Sequence, residues 1–121
     1  MSRAEVFKDF EIDCAHSLPY VPEGHKCKNV HGHTYRIRVV IEGELNAQYG
    51  WVIDFADIKA AFAPIKEMLD HKYLNDIEGL ENPTAENLSI WIWNKVVNLL
   101  PGLKEIWVSE TPMSGCKYRG E

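Results

Sequence analysis

Cys27, His31 and His33 stand in the run Cys27-Lys28-Asn29-Val30-His31-Gly32-His33. In a β-strand the two-residue period sends His31 and His33 to one face, where both imidazoles can reach one metal ion. The upstream thiol belongs to the same neighbourhood. It can act as a fourth ligand or as a separate acid/base group beside a cation, and spacing alone leaves both open. Two histidines on a strand are also common without a metal, so the surrounding elements must decide.

Those elements are legible from periodicity. Residues 7–16 alternate, with Phe10, Ile12, Cys14 and His16 on one face and Asp9, Glu11 and Asp13 on the other. Residues 31–43 alternate as well: His31, His33, Tyr35, Ile37, Val39 and Ile41 face Thr34, Arg36, Arg38 and Glu42 across the strand. Histidine ends the first apolar face and begins the second. Antiparallel pairing of these neighbours brings the end of one beside the start of the other. His16, His31 and His33 then converge as an N3 site that suits Zn²⁺ and leaves one position open. The alternative is that His16 merely closes a strand and hydrogen-bonds to nearby backbone.

The connection, residues 17–30, contains Pro19, Pro22 and Gly24, has no regular period and is longer than a hairpin needs. Cys27 lies on it, and His25 reads as a solvated residue. A turn at Gln48-Tyr49-Gly50 and the apolar run Trp51-Val52-Ile53 follow the second strand. Asp54 then caps a helix whose stripe is Phe55, Ile58, Phe62, Ile65 and Leu69, with a kink or break expected at Pro64. Asp70 and His71 end it. Such a pair serves as a structural helix end or, in a cleft, as a proton relay.

Asn82-Pro83-Thr84 begins a second helix, with Pro83 in its first turn and Asn82 or Thr84 as cap. Leu88, Trp91, Ile92, Val96, Leu99 and Leu100 supply its buried side, and Pro101-Gly102 stops it. Residues 103–111 and 116–119 read as two further strands joined through residues 112–115. Glu110, at the end of the third strand, offers a carboxylate that can accept two parallel bonds from a planar N–H edge. The order is ββααββ, an α+β chain.

Composition bounds the partners. The 121 residues, 45% hydrophobic, suit one domain over 1–121. A net charge of -5 argues against nucleic acid or an anionic membrane as main partner. Cys14, Cys27 and Cys116 are odd in number and lack CxxC spacing, which fits a reducing cytoplasm. The start has no signal-peptide core, and no window approaches a membrane span.

The run CKNVHGH, the upstream Ala15-His16, VIDFADIK, LDHKYLN, NPTAEN and the ET...GCKYRGE end together resemble the 6-pyruvoyl-tetrahydropterin synthase family over nearly the whole chain. Within it they look most like the bacterial queuosine branch, where the cysteine stands four positions before HGH; in the animal pyruvoyl-forming enzymes it lies further upstream. The resemblance implies a tunnelling fold (T-fold), a four-stranded antiparallel sheet with two helices on one face. Three subunits would close a barrel and two trimers would stack as a homohexamer.

It further implies that His16, His31 and His33 bind Zn²⁺, that Cys27 is the general base, that Asp70 and His71 form a relay, and that Glu110 anchors the pterin. The implied reaction converts 7,8-dihydroneopterin triphosphate to 6-carboxy-5,6,7,8-tetrahydropterin, acetaldehyde and triphosphate, the alternative being the pyruvoyl product. Lys26, Lys28, Lys72 and Arg119 are available for the triphosphate, and nothing in the sequence ranks them. A cupin-type oxygenase is set aside because no glutamate follows HxH closely. A zinc-free aldolase of the same fold and a non-catalytic binding module remain as rivals.

Overall fold

A computed structural model describes residues 2–121. The elements are β1 (Arg3–His16), β2 (His31–Glu44), α1 (Phe55–Leu69), α2 (Ala85–Val96), β3 (Leu103–Thr111) and β4 (Ser114–Tyr118). The four strands form one antiparallel sheet in the order β1-β2-β3-β4. β1 and β4 are therefore its edges. This is the expected ββααββ arrangement, with β1 beginning four residues earlier and β4 two residues earlier than periodicity suggested.

Alternation divides the sheet into two chemically distinct faces. Ile12, Cys14, Tyr35, Ile37, Val39, Ile41, Ile106 and Val108 are buried on the face that the helices cover. The α1 residues Ile58, Phe62, Ile65 and Leu69 pack there, and Phe62 stacks on Phe10 with ring centroids 4.2 Å apart. Removing water from such apolar surface is the main force holding helix to sheet, at roughly 25 cal/mol per Å². On the other face Arg38 forms a fork with Asp9, at 2.8 and 3.0 Å, and its guanidinium lies 4.0 Å from the Phe7 ring centre.

The structure corrects several helical expectations. Helix α1 runs unbroken through Pro64. Pro64 and Ala60 are both exposed, so water can satisfy the carbonyl that proline leaves without a partner. Phe55 is 51% exposed, because it occupies the first helical position and the stripe that meets the sheet starts one turn later, at Ile58. Leu99 is 58% exposed, since α2 ends at Val96 and the following turn leaves the helical phase; Leu100 takes the buried position.

Helix α1 begins as expected, with the Asp54 carboxylate accepting from the Ala56 N–H at 2.8 Å. Helix α2 is capped by the Thr84 hydroxyl, which places Pro83 ahead of the cap instead of in the first turn. Gly102 turns the chain into β3 at φ +85°, where an added Cβ would stand 2.5 Å from the Glu42 carbonyl.

Glu105 is a buried acid on β3 that accepts from Trp107 Nε1 at 3.0 Å and from Arg119 Nε at 2.8 Å. These donors hold its carboxyl below the ordinary value of 4.5. A depressed folded-state pKa means stability that is present above the unfolded value and lost as pH falls through the folded one. Glu105→Gln is therefore expected to lower stability at pH 7 by about 1–2 kcal/mol. Thermal melts of both proteins should converge as pH drops below about 4; a gap that persists in acid would assign the loss to packing.

Candidate metal centre and adjoining pocket

The histidine cluster is a product of strand register. β1 and β2 pair so that His16 lies opposite His31 and Cys14 opposite His33. All three imidazoles therefore rise on the helix-covered face, and their ligand nitrogens lie within 4.8 Å of one another. His16 is 1% exposed, whereas His31 and His33 are half-buried.

Backbone carbonyls orient two of these rings. His16 Nδ1 lies 2.8 Å from the Pro83 carbonyl, and His31 Nδ1 lies 2.8 Å from the Asn29 carbonyl. A carbonyl only accepts, so each Nδ1 carries a proton, and in the neutral ring, the form that binds metal, Nε2 keeps its lone pair. Those two Nε2 atoms face each other at 2.9 Å. Opposed lone pairs at this distance call for a cation between or beside them. Burial lowers the pKa of His16, with the neighbouring His31 and His33 adding to the effect and the Pro83 carbonyl and Glu110 opposing it. The ring is thus kept in the neutral form that binds metal, and the donor set fits Zn²⁺ with one position free.

Tyr35 closes the buried side, with its hydroxyl 3.1 Å from His16 Nδ1 and 3.5 Å from Nε2. Burial, reinforced by Glu110 and Cys14, drives the Tyr35 pKa far upward, so it remains a neutral phenol. Glu110 shares this face because β3 alternation sets it with Val108 and Ile106; its Oε2 lies 3.8 Å from His33 Nε2.

Cys27 sits on a short 3-10 turn, Lys26–Lys28, in the loop between β1 and β2. His25, expected to be simply solvated, is exposed but also caps this turn by accepting the Cys27 N–H at 3.0 Å. The Cys27 carbonyl accepts from Leu18 at 2.8 Å and ties the loop back to its start. Cys27 Sγ is not among the clustered ligand atoms, which favours a separate role over a fourth ligand.

Asp70 and His71 do pair, at 3.2 Å, and lie against the outer edge of β1. Asp70 Oδ1 accepts the Asp13 N–H at 2.9 Å, and the His71 N–H donates to the Asp13 carbonyl at 2.6 Å. The first of these bonds, helped by His71, holds the Asp70 carboxyl below its usual range. Among the described residues His71 alone has a positive φ, 61°, without being glycine. An open cavity of about 550 Å³ is lined by Asp13, His33, Thr34, His71, Lys72 and Tyr73, among others. It joins the metal edge to the Asp70-His71 pair, while Cys27 and Glu110 are not part of its lining.

Of the four cations proposed for phosphate, Lys28 is paired with Glu23 at 2.8 Å and Arg119 with Glu105. Among the described residues neither Lys26 nor Lys72 has a carboxylate within 4.0 Å, but Lys26 lies on the Cys27 turn, whereas Lys72 lines the cavity. Cys14 donates to the Leu69 carbonyl, and burial pushes its thiol up to about 12, as suits a core filler. Cys116 is half-buried against Ser89. Tyr35 was visible in the strand alternation, but its contact with His16 was not; the carbonyls of Pro83 and Asn29 leave no trace in side-chain chemistry.

Residues 5–121 match the family model of 6-pyruvoyl tetrahydropterin synthase. A 6-carboxy-5,6,7,8-tetrahydropterin synthase of Synechocystis is 40% identical over 93% of this chain and 91% of its own length. A dihydroneopterin monophosphate aldolase of Pyrococcus furiosus is 34% identical over 83% and 81%. The structure of Caenorhabditis elegans 6-pyruvoyl tetrahydropterin synthase superposes with a TM-score of 0.92 at 26% identity, covering 100% of this chain and 98% of that one. Sequence match and tunnelling fold agree across the same residues, and the chain belongs to the 6-pyruvoyl tetrahydropterin synthase family.

Proposed function

We propose that this protein is a zinc-dependent lyase that converts 7,8-dihydroneopterin triphosphate and water to 6-carboxy-5,6,7,8-tetrahydropterin, acetaldehyde and triphosphate, a step of queuosine biosynthesis. The observation that carries the reading is the histidine cluster, with two Nε2 lone pairs opposed at 2.9 Å and the Glu110 carboxylate beside His33. The similarity to the Synechocystis synthase supports the product.

His16, His31 and His33 would hold zinc, which supplies Lewis acidity toward the oxygens of the substrate side chain. Glu110 would accept the amino and ring N–H edge of the pterin and so fix which carbon faces the thiol. Cys27 would take the proton from that carbon as thiolate. His71, oriented by Asp70, would carry protons to and from the side chain. The outer edges of β4 and of β1 ahead of Asp13, which pair with no further strand among the described residues, support closure into a trimeric barrel and a homohexamer, in which neighbouring subunits would complete each site.

The deciding experiment is product analysis by mass spectrometry after zinc-loaded protein meets 7,8-dihydroneopterin triphosphate. Carboxy-tetrahydropterin together with acetaldehyde is expected. A pyruvoyl product would keep the site and change the branch. Cleavage that leaves phosphate on the released fragment would favour the aldolase reading, and zinc binding without turnover a binding module.

Lys72, unpaired and in the cavity, is the cation we assign to the triphosphate. Lys72→Ala should raise KM about tenfold with little change in kcat, the effect of one charge-assisted bond of ~1.5 kcal/mol. Inhibition by inorganic triphosphate should weaken in parallel; unchanged inhibition would move the phosphate site elsewhere.

A further inference from the structure

We infer that Asn75 is a positioning residue for the metal ligand His16, a role that rests on the zinc reading above. Its side chain grips the residue immediately after that ligand: Oδ1 accepts the Ser17 N–H at 2.9 Å, and Nδ2 donates to the Ser17 carbonyl at 2.8 Å. This two-way match fixes the amide orientation, since the reversed amide would oppose donor to donor and acceptor to acceptor. The Tyr73 hydroxyl, 2.8 Å from Ser17 Oγ, fastens the same residue a second time.

Asn75 Nδ2 also lies 3.4 Å from the Glu81 carbonyl, two residues before Pro83. Pro83 is the residue whose carbonyl receives His16 Nδ1–H. One amide thus ties together the backbone that carries the imidazole and the chain segment that orients it. Asn87 secures the far side of that segment by donating Nδ2 to the Asn82 carbonyl at 2.8 Å. The connector between α1 and α2 sets the ring of His16 as much as the strand does. Without Asn75, the strand end and the Pro83 turn can drift apart, and the ligand that is least free to adapt loses its aim.

The test is zinc affinity of the full-length protein, measured by competition with a chromogenic chelator, together with the visible spectrum of the Co²⁺-substituted protein. Asn75→Ala is expected to bind zinc about tenfold more weakly, the lower end of what outer-shell partners contribute, and to show a shifted or weakened cobalt band. Ile65→Val, which softens the buried face of α1 and removes no polar contact, should keep wild-type affinity and spectrum. If Asn75→Ala fails to fold, Asn75→Ser, which keeps one donor and acceptor, should show a smaller loss in the same direction. Affinity within about twofold of wild type and an unchanged cobalt band would overturn the positioning role. Wild-type protein that takes up no zinc would overturn it as well, and with it the zinc reading; intact wild-type uptake beside an unaffected variant leaves that reading standing.

Discussion

Cys27→Ala is expected to slow product formation by orders of magnitude, roughly 10²–10⁴-fold, while the zinc stays in place. The thiol lies outside the cluster of ligand nitrogens, so its loss removes no donor from the metal. It is half-buried on a turn held by His25 and Leu18 through backbone bonds, which the substitution leaves intact. The variant should therefore fold normally. A general base contributes roughly 10²–10⁴-fold to the rate, and a decrease of that size is predicted for kcat. Product quantification by mass spectrometry and metal analysis on the same sample check both halves of the prediction. Loss of zinc with the activity would recast Cys27 as a ligand, and retained turnover would place the base elsewhere.

The second large effect is expected from His31→Ala. His31 is half-buried, and its fold-level contribution is one bond to the Asn29 carbonyl, worth about 1 kcal/mol. In the proposed zinc site its Nε2 would nonetheless be one of three donors. Structural zinc sites with four ligands bind with ~10–16 kcal/mol, so one ligand accounts for a few kcal/mol and its removal should weaken zinc on the order of 10²–10³-fold. The same substitution on His16 would be a poorer experiment, because it would also open a void in the core and leave the Pro83 carbonyl without its partner. Zinc competition and a thermal melt separate the two consequences: affinity should collapse while the fold survives. Undiminished zinc uptake would refute the histidine cluster as the metal centre.

The contrast between these two residues shows how much of the site can be read from the chain. His31 and His33 announce themselves by spacing, and the alternation of two neighbouring strands predicts that His16 joins them. The observed register, with His16 opposite His31, follows from burying one face of each strand, because a slip by one residue would expose the whole apolar set. Glu110 is legible for the same reason, as the polar end of a buried face. Cys27 lies on a loop, where no period relates sequence position to direction. Its separation from the nitrogens therefore had to come from coordinates.

The helices illustrate the same division. The α1 stripe and its Asp54 cap follow from local rules, yet Pro64 did not break the helix, because its neighbours face water that can satisfy the freed carbonyl. Leu99 matched the helical period and still faces solvent, since the helix stops three residues before it.

What the sequence determined by itself is the set of elements and the converging histidines, since both rest on periodicities that burial enforces along a strand or helix. Family membership was likewise legible, because its motifs are spread in order along the chain. The tertiary structure decided which ring nitrogens of His16 and His31 carry a proton, which depends on the backbone carbonyls of Pro83 and Asn29. It also decided that Lys28 and Arg119 are engaged by carboxylates while Lys72, with none in reach among the described residues, lines the cavity, and that Asn75 braces Ser17. Carbonyls are common to all residues, and a side chain's partner is set by segments far away in sequence; neither is encoded by the spacing of residue types.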